Sequence, residues 1–504
     1  MVQKTQLPTK ECKNLLSASK QPNIVDQLLA KECAKGFMLG PFPSPPFPNY
    51  RVSPIGIAEG KYSKKKRLII DLSSPHDDHT HASINDLIDK DQCSLSYVKI
   101  DDAIRIIQSY GKGAIMCKAD ISDAFKQIPI TPSQWHLFCV KWRGSYYVCV
   151  RLPFGSRSSP KLFDTLSLAI CWIAKHNYGI GVILHLLDDF LTIDPPSACG
   201  ERTMALLTLI FNRLKIPTAP NKTIGPCTVI EYLGIILDSE QMQARLPPDK
   251  VVRIVNYIEH FLDRRSVRKR ELLQLLGHLN FATRVILPGR AFVSYLIRLS
   301  TTVRKLDHYI HLDTNCREEL YMWHEFLTQW KGVSMFLDKQ STSSNDLELY
   351  TDASSTVGYG GYYKTSWFAA AWSDDLKMLF SVENEFSMAF RELYTIVVAA
   401  IIWGTEWAGK RIIFICDNMT TVNILQNGRS KCMHIMKLMR KLTWCAASSN
   451  FYFSAKHIPG IVNNKADALS RLQFQKFHTL APDADLQPCK CPTPSEVLWT
   501  WIKR

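Results

Sequence analysis

Two adjacent aspartates, Asp188 and Asp189, stand between the largely apolar stretches Leu184-His185-Leu186-Leu187 and Phe190-Leu191-Thr192-Ile193. That pattern suits a β-hairpin whose flanking strands are buried and whose tight turn lifts two carboxylates out of the sheet. Neighbouring carboxylates repel strongly unless a divalent cation sits between them. A single pair is also what an ordinary water-exposed Asp-Asp turn looks like, so the surrounding elements decide.

Upstream, Ala114-Ile115-Met116-Cys117-Lys118-Ala119 reads as a strand ending at Asp120, with the aromatic Phe125 five residues on. An aromatic strand over residues 144–150 leads into Arg151-Leu152-Pro153-Phe154-Gly155-Ser156, and a helix follows with Pro160 in its first turn. Three carboxylates on two adjacent strand ends can supply oxygen ligands for two Mg²⁺ ions about 3.5–4 Å apart, enough to flank an in-line displacement. A second set lies downstream. Asp352 ends one strand, Glu392 sits on a long apolar helix over residues 384–404, Asp417 ends the strand over residues 411–416, and Asp467 opens a last helix after His457. Acids at two strand ends and on two helices can converge above a sheet.

The chain of 504 residues is long enough for about three domains. Its formal net charge of +15 and pI near 9.1 suit a polyanionic partner. Lys64, Lys65, Lys66 and Arg67 precede a strand over residues 68–70, and Arg264, Arg265, Arg268, Lys269 and Arg270 precede a helix with Ser266 as its N-cap and Leu272, Leu273, Leu276 and Leu279 as its apolar stripe. Both runs can hold phosphates, or be solvated surface, and the second could serve nuclear import. Asp77-Asp78-His79-Thr80-His81 has no matching ligand pair nearby and is read as a loop. The 15 dispersed cysteines, without a CxxC pair, read as free thiols in a reducing compartment. No signal peptide is expected at the start, and the apolar run over residues 396–403 is short of the ~20 residues a membrane helix needs.

The set strand–Asp120, glycine turn–helix and hairpin–Asp188-Asp189 resembles the palm of a reverse transcriptase. Leu152-Pro153-Phe154-Gly155 resembles the motif beneath the templating pair, while Asn221-Lys222 and Glu231-Tyr232-Leu233-Gly234 resemble the next two, the latter at the primer grip. Residues 40–86, through Ser53-Pro54, Asp71-Leu72-Ser73 and Ile84-Asn85-Asp86, resemble the fingers of DIRS-like retroelements; a gypsy-like element is the neighbouring alternative. Leu186 departs from the tyrosine usual in such enzymes, which puts the detail of primer-end placement in doubt. The order Asp352, Glu392, Asp417, Asp467, with His457 before the last, resembles ribonuclease H of retroelements.

The resemblance implies metal contacts at Asp120, Ile121, Asp188 and Asp189, and substrate contacts at Arg67, Asp123, Ala124, Phe125, Phe154 and Gly155. Phe125 would exclude a 2′-hydroxyl, and Lys222 would protonate the leaving pyrophosphate. It implies metal contacts at the four nuclease acids, with His457 assisting product release. The expected cofactor is Mg²⁺, two per site, with Mn²⁺ as substitute. Expected partners are RNA and DNA template-primers, RNA–DNA hybrid and dNTPs, with no membrane; the expected location is the cytoplasm or nucleus.

The fold class expected is α+β: a right-hand polymerase followed by an α/β ribonuclease H-like domain with a mixed sheet. The expected division is an N-terminal extension with a polyproline-like lead-in (residues 1–55), fingers and palm (56–245), helical thumb and linker (246–340), ribonuclease H (341–475) and a tail without a readable site (476–504). Ser341-Thr342-Ser343-Ser344-Asn345 reads as the linker. A domesticated or decayed copy that only binds nucleic acid is the rival reading; decay should remove acids at random, yet all seven are present. An RNA-templated RNA polymerase is disfavoured by Phe125 and the attached nuclease. Neither an aspartic-protease signature nor an HHCC zinc pattern is seen, so the chain reads as one piece of a larger element.

Overall fold

The computed structural model describes residues 7–60, 64–76, 81–328, 333–335, 341–343, 349–377, 388–428, 430, 432–457 and 463–498. The chain divides into two compact units, Met1–Tyr232 and Leu233–Arg504.

In the first unit, β1 (Lys10–Glu11), β2 (Met38–Phe42), β3 (Arg51–Val52), β7 (Cys139–Trp142) and β8 (Ser145–Cys149) form a sheet in the order β1-β3-β7-β8-β2. A hairpin of β4 (Ile55–Glu59) and β5 (Lys66–Ile70) stands beside it, and α1 (Leu16–Ser19) and α2 (Pro22–Ala34) belong to the same unit. This corrects two expectations. Residues before 55 are woven into the sheet rather than appended to it, because β1 and β3 pair and β2 pairs with β8. The proline-rich run begins as strand: Met38–Phe42 supplies ladder bonds on both sides of a register shift between Leu39 and Phe42. Asp77 to Thr80 lie outside the described residues.

A second sheet, in the order β11-β6-β10-β9, joins β6 (Ile115–Asp120), β9 (Ile183–Leu186), β10 (Asp189–Asp194) and β11 (Ile224–Cys227). Phe190, Leu191 and Ile193 of β10 are fully buried, as a strand covered on both faces requires. The helix α4 (Ser159–His176) buries Phe163, Ser167, Ile170, Cys171 and Ala174, a single stripe at helical spacing, and α5 (Gly200–Arg213) buries Leu207, Ile210 and Phe211. Together they close the core beneath the hairpin β9–β10.

In the second unit, α6 (Pro248–Leu262), α7 (Lys269–Ala282), α8 (Ser294–Ser300) and α9 (Thr314–Thr328) form the expected helical region. Two details differ. Ser266 does not cap α7: Ser266–Arg268 is a strand paired with Tyr309–His311, and Arg268 is the N-cap residue, its backbone amide donating to Glu271 Oε2 at 2.8 Å. The buried stripe is Leu272, Leu275, Leu276 and Leu279, while Leu273 is exposed, because the packed face turns by one residue.

Beyond it, an antiparallel sheet of β19 (Leu349–Ala353), β20 (Gly358–Tyr363) and β21 (Ser366–Ala371) and a parallel sheet of β18 (Ser341–Ser343), β22 (Arg411–Cys416) and β23 (Tyr452–His457) stand where one mixed sheet was expected. The physical reason is that Ser341–Ser343, read from its Ser/Thr content as linker, pairs with the edge of β22. Residues 344–348 lie outside the described residues.

The helix α10 (Met388–Trp403) is almost wholly buried and forms the core with Trp372, Trp407 and Phe414. With its flank, Met388–Trp407 is long and apolar enough to cross a membrane by length and composition, contrary to the shorter run counted above, but most of it is buried inside the unit. Residues 384–387 lie outside the described residues. The supposed tail also packs: Phe477 is buried against Trp367 and Tyr362, Trp367 Nε1 donates to the Asp485 carbonyl at 2.7 Å, and Val497 is fully buried.

Candidate active sites

The hairpin predicted around Asp188 is present. β9 and β10 pair antiparallel with Asp189 opposite Leu186, leaving a two-residue turn of Leu187 and Asp188 in which Leu187 takes φ +54°. A non-glycine residue in the left-handed region is strained and needs its surroundings to hold it. Ser167 Oγ does so in part, donating to the Leu187 carbonyl at 2.9 Å. On the other side β10 pairs with β6 so that Asp189 lies opposite Asp120, and the Ile121 amide donates to the Asp188 carbonyl at 3.0 Å. Strand register alone therefore gathers the three aspartates. Ile121, buried, can reach a cation only through its backbone carbonyl.

Burial and crowding show in the electrostatics. Burial pushes the Asp189 carboxyl up to about 6 against the pull of Lys118, with Asp120 and Asp188 adding repulsion. Burial and the Asp120 charge likewise raise Asp188. Two lysines flank the acids: Lys222 Nζ lies 2.8 Å from Asp120 Oδ2, and Lys118 Nζ lies 3.3 Å from Asp189 Oδ1. The hydrogen bond to Asp120 raises the pKa of Lys222 and keeps it protonated. An all-oxygen donor set with mutual repulsion is the kind a hard divalent cation fits.

The remaining predicted residues surround this point unequally. Ala124 is buried and Asp123, at φ +50°, ion-pairs with Lys35, the C-cap of α2. The Phe125 ring is half-buried between Phe154 (centroids 4.9 Å apart) and Phe163 (5.6 Å), and Phe154 is itself half exposed. Gly155 takes φ +99°, and a Cβ there would meet the Ile70 carbonyl oxygen at 2.6 Å, so only glycine fits. Asn85 Nδ2 fixes that loop, donating to the Gly155 carbonyl at 2.9 Å. Arg67 is exposed on β5 opposite Ala58, in a different sheet from the carboxylates.

The second acid set converges in the second unit. Asp352 is on β19, Glu392 is buried on α10 and Asp417 follows β22. Burial raises Asp352 to about 6, with Asp417 and Asp467 adding repulsion against a hydrogen bond from Ser470, and raises Glu392 well above its usual range, with Asp352 and Asp417 adding to it. Ser470 Oγ donates to Asp352 Oδ2 at 2.6 Å, and Arg471 Nε donates to Asp467 Oδ1 at 2.7 Å. Gly360 lets the helix of Asn464–Ser470 come close, since a Cβ there would meet Leu469 Cβ at 2.5 Å. His457 Nε2 donates to the Asp417 carbonyl at 3.1 Å from the exposed end of β23. Glu392, Asp417 and the neighbouring Cys416 could hold a cation, their ligand atoms lying within 4.8 Å of one another.

Sequence reasoning passed over four groups. Lys118 and Ser470 touch Asp189 and Asp352, yet a lysine in a strand or a serine in a helix carries no signal until register is known. Cys416 stands next to a predicted acid and was counted only as a thiol. The fourth is a chain beneath the hairpin: Asp164 Oδ1 lies 3.1 Å from His185 Nε2, whose Nδ1 lies 3.4 Å from Cys171 Sγ. Burial pushes the Cys171 thiol up to about 12, and the chain ties α4 to β9.

The fold is α+β and like that of reverse transcriptases, with three aspartates gathered by one hairpin. The chain resembles the reverse transcriptase–ribonuclease H proteins of retroelements and is related in sequence to retroviral Pol proteins. It is 28% identical over 152 residues to the Gag-Pol polyprotein of baboon endogenous virus (strain M7), and 27% identical over 179 residues to the Pol polyprotein of feline endogenous virus ECE1. Those stretches cover 27% and 34% of this chain but only 9% and 16% of the polyproteins. Among solved structures, foamy viral protease-reverse transcriptase is similar in fold. In its dRH form with double-stranded DNA the TM-score is 0.52 at 16% identity, covering 90% of this chain and 73% of that one. In complex with RNA/DNA hybrid the TM-score is 0.50 at 16% identity, covering 90% and 56%. No family model matches the sequence.

Proposed function

We propose that the chain is an RNA-directed DNA polymerase of a retrotransposon with an attached ribonuclease H, copying RNA or DNA into DNA and degrading the RNA strand of RNA–DNA hybrids. The observation that carries this reading is the register placing Asp189 opposite Asp120 with Asp188 in the intervening turn. Mg²⁺ held by these aspartates would neutralise charge at the triphosphate and acidify the primer 3′-hydroxyl. Lys222, kept protonated by Asp120, is the proton donor nearest the acids for a departing pyrophosphate. Phe125, packed against Phe154 and Phe163, would exclude a 2′-hydroxyl and so disfavour ribonucleotides. The nucleic-acid complexes in which foamy viral reverse transcriptase was solved support template-primer and hybrid as partners.

In the second unit, Asp352, Glu392, Asp417 and Asp467 form an all-oxygen set for the same class of cation, and His457 stands at its exposed edge, suited to product release. The presence of both complete sets favours the enzyme over a decayed nucleic-acid-binding copy. The test is primer extension by the purified chain on an RNA template with Mg²⁺ and dNTPs. Template-dependent extension that stops with EDTA is expected; no extension on any template would return the chain to the binding-only reading.

A further inference from the structure

Lys118 is placed by the strand itself. It lies two residues before Asp120 on β6, so both side chains leave the same face of the sheet. Lys118 pairs with Leu191 of β10, which makes Asp189 its diagonal neighbour, within reach of a long side chain. The ammonium uses that reach twice. It lies 3.3 Å from Asp189 Oδ1 and donates to the Glu231 carbonyl of β12 (Val229–Tyr232) at 3.1 Å, with only 15% of the side chain exposed. Burying a lysine is costly unless its charge is met, and the Asp189 carboxylate meets it here. Glu231 is where the sequence resembles the primer grip, so one side chain joins a metal-binding acid to the strand leading to the primer side.

We infer that Lys118 is a positioning residue of the polymerase site, a built-in cation that fixes the Asp189 carboxylate and tethers β12 to the catalytic strand. It touches neither substrate nor reacting atoms and acts through Asp189 and the Glu231 backbone. The proposal rests on the polymerase reading above for its consequence in synthesis, but the geometry it invokes exists without metal or substrate. Removing the charge while keeping the stem should do three things. The protein without metal loses the ion pair and becomes less stable. Added Mg²⁺ then stabilises it more than it stabilises wild type, because the ion meets one fewer competing positive charge. Synthesis slows because Asp189 and the primer-side strand lose their common anchor, while nucleotide affinity, which Lys118 does not contact, changes little.

The test uses the full chain with Lys118→Met and Lys118→Arg at fixed pH and salt. In EDTA, Lys118→Met should melt about 3–10 °C below wild type, from the loss of both the Asp189 ion pair and the hydrogen bond to the Glu231 carbonyl. The Mg²⁺-induced rise in Tm should be larger for Lys118→Met than for wild type, and Lys118→Arg should recover most of both values. In primer extension, kcat should fall by about tenfold or more with the dNTP KM within about threefold of wild type. An unchanged Tm in EDTA, or a lowered Tm with a wild-type Mg²⁺ response, would overturn the inference, the latter reducing Lys118 to packing. If Lys118→Met does not fold, Lys118→Gln is held to the same criteria. Thermal results as expected with no extension even by wild type would refute the polymerase reading and leave the Lys118 ion pair standing.

Discussion

Arg440 offers the sharpest quantitative prediction. It lies on the helix of Met433–Ser448 and reaches α9, with Nη1 2.7 Å from Glu318 Oε2 and Nη2 3.4 Å from Glu319 Oε1. Glu319 is fully buried, and its two oxygens accept from the Tyr295 and Leu296 amides at 3.1 and 3.0 Å, capping the first turn of α8. Burial outweighs these contacts and raises the Glu319 carboxyl from 4.5 to about 7. The folded chain thus binds this proton more tightly than the unfolded chain. The stability this contributes is complete below pH 4.5 and is lost as pH rises through about 7, a change of roughly 3 kcal/mol at ~1.4 kcal/mol per decade of proton affinity. Arg440→Met removes the countercharge. At pH 8, where Glu319 would otherwise be ionised, the cost should be about 3–5 kcal/mol, that of breaking a buried pair. At pH 5 Glu319 is protonated, so the loss should be smaller than at pH 8 and should reflect the broken Glu318 pair and the lost hydrogen bonds. Glu319→Gln should flatten the pH dependence, and adding Arg440→Met to it should cost less than Arg440→Met alone. Urea unfolding of the full chain at the two pH values, followed by tryptophan fluorescence, measures this. An equal loss at both pH values would refute the charge argument and leave only packing.

Two further outcomes follow from the first unit and the basic runs. Phe125→Val should shift the dNTP-to-NTP ratio of kcat/KM by about 10–100-fold toward ribonucleotides; an unchanged ratio would make the ring part of the core between Phe154 and Phe163 and nothing more. Template-primer affinity should fall with salt at a log–log slope of about −0.9 per duplex phosphate contacted, and neutralising Lys64, Lys65 and Arg67, or Arg264, Arg265 and Arg268, should flatten it; an unaltered slope would make those runs solvated surface.

How much was legible in the sequence follows from which signals are local. The hairpin, the strand before Asp120 and the helix carrying Glu392 were readable because period-2 and period-3.6 patterns and an acid at an element's end lie within a few residues of each other. What failed depended on partners distant in sequence. Ser341–Ser343 has a linker's composition and becomes a strand only because β22 offers an edge about seventy residues later. The proline-rich start became strand because β8 pairs with Met38–Phe42. Lys118 gained its meaning from the register of β6 against β10, and Arg440 from α9, more than a hundred residues earlier. Leu273 and Leu275 exchanged places because both fit an apolar stripe, and only packing decides which edge of it is covered.

The central claim is that two complete and separable acid sites carry DNA synthesis and hybrid cleavage. The most direct measurement assays Asp188→Asn and Asp417→Asn in parallel on a primed RNA template and on a preformed RNA–DNA hybrid. Asp188→Asn should fail to extend yet cleave the hybrid within a few-fold of wild type, and Asp417→Asn should extend but not cleave. Extension by Asp188→Asn at near wild-type rate, or loss of both activities in either variant, would contradict that claim.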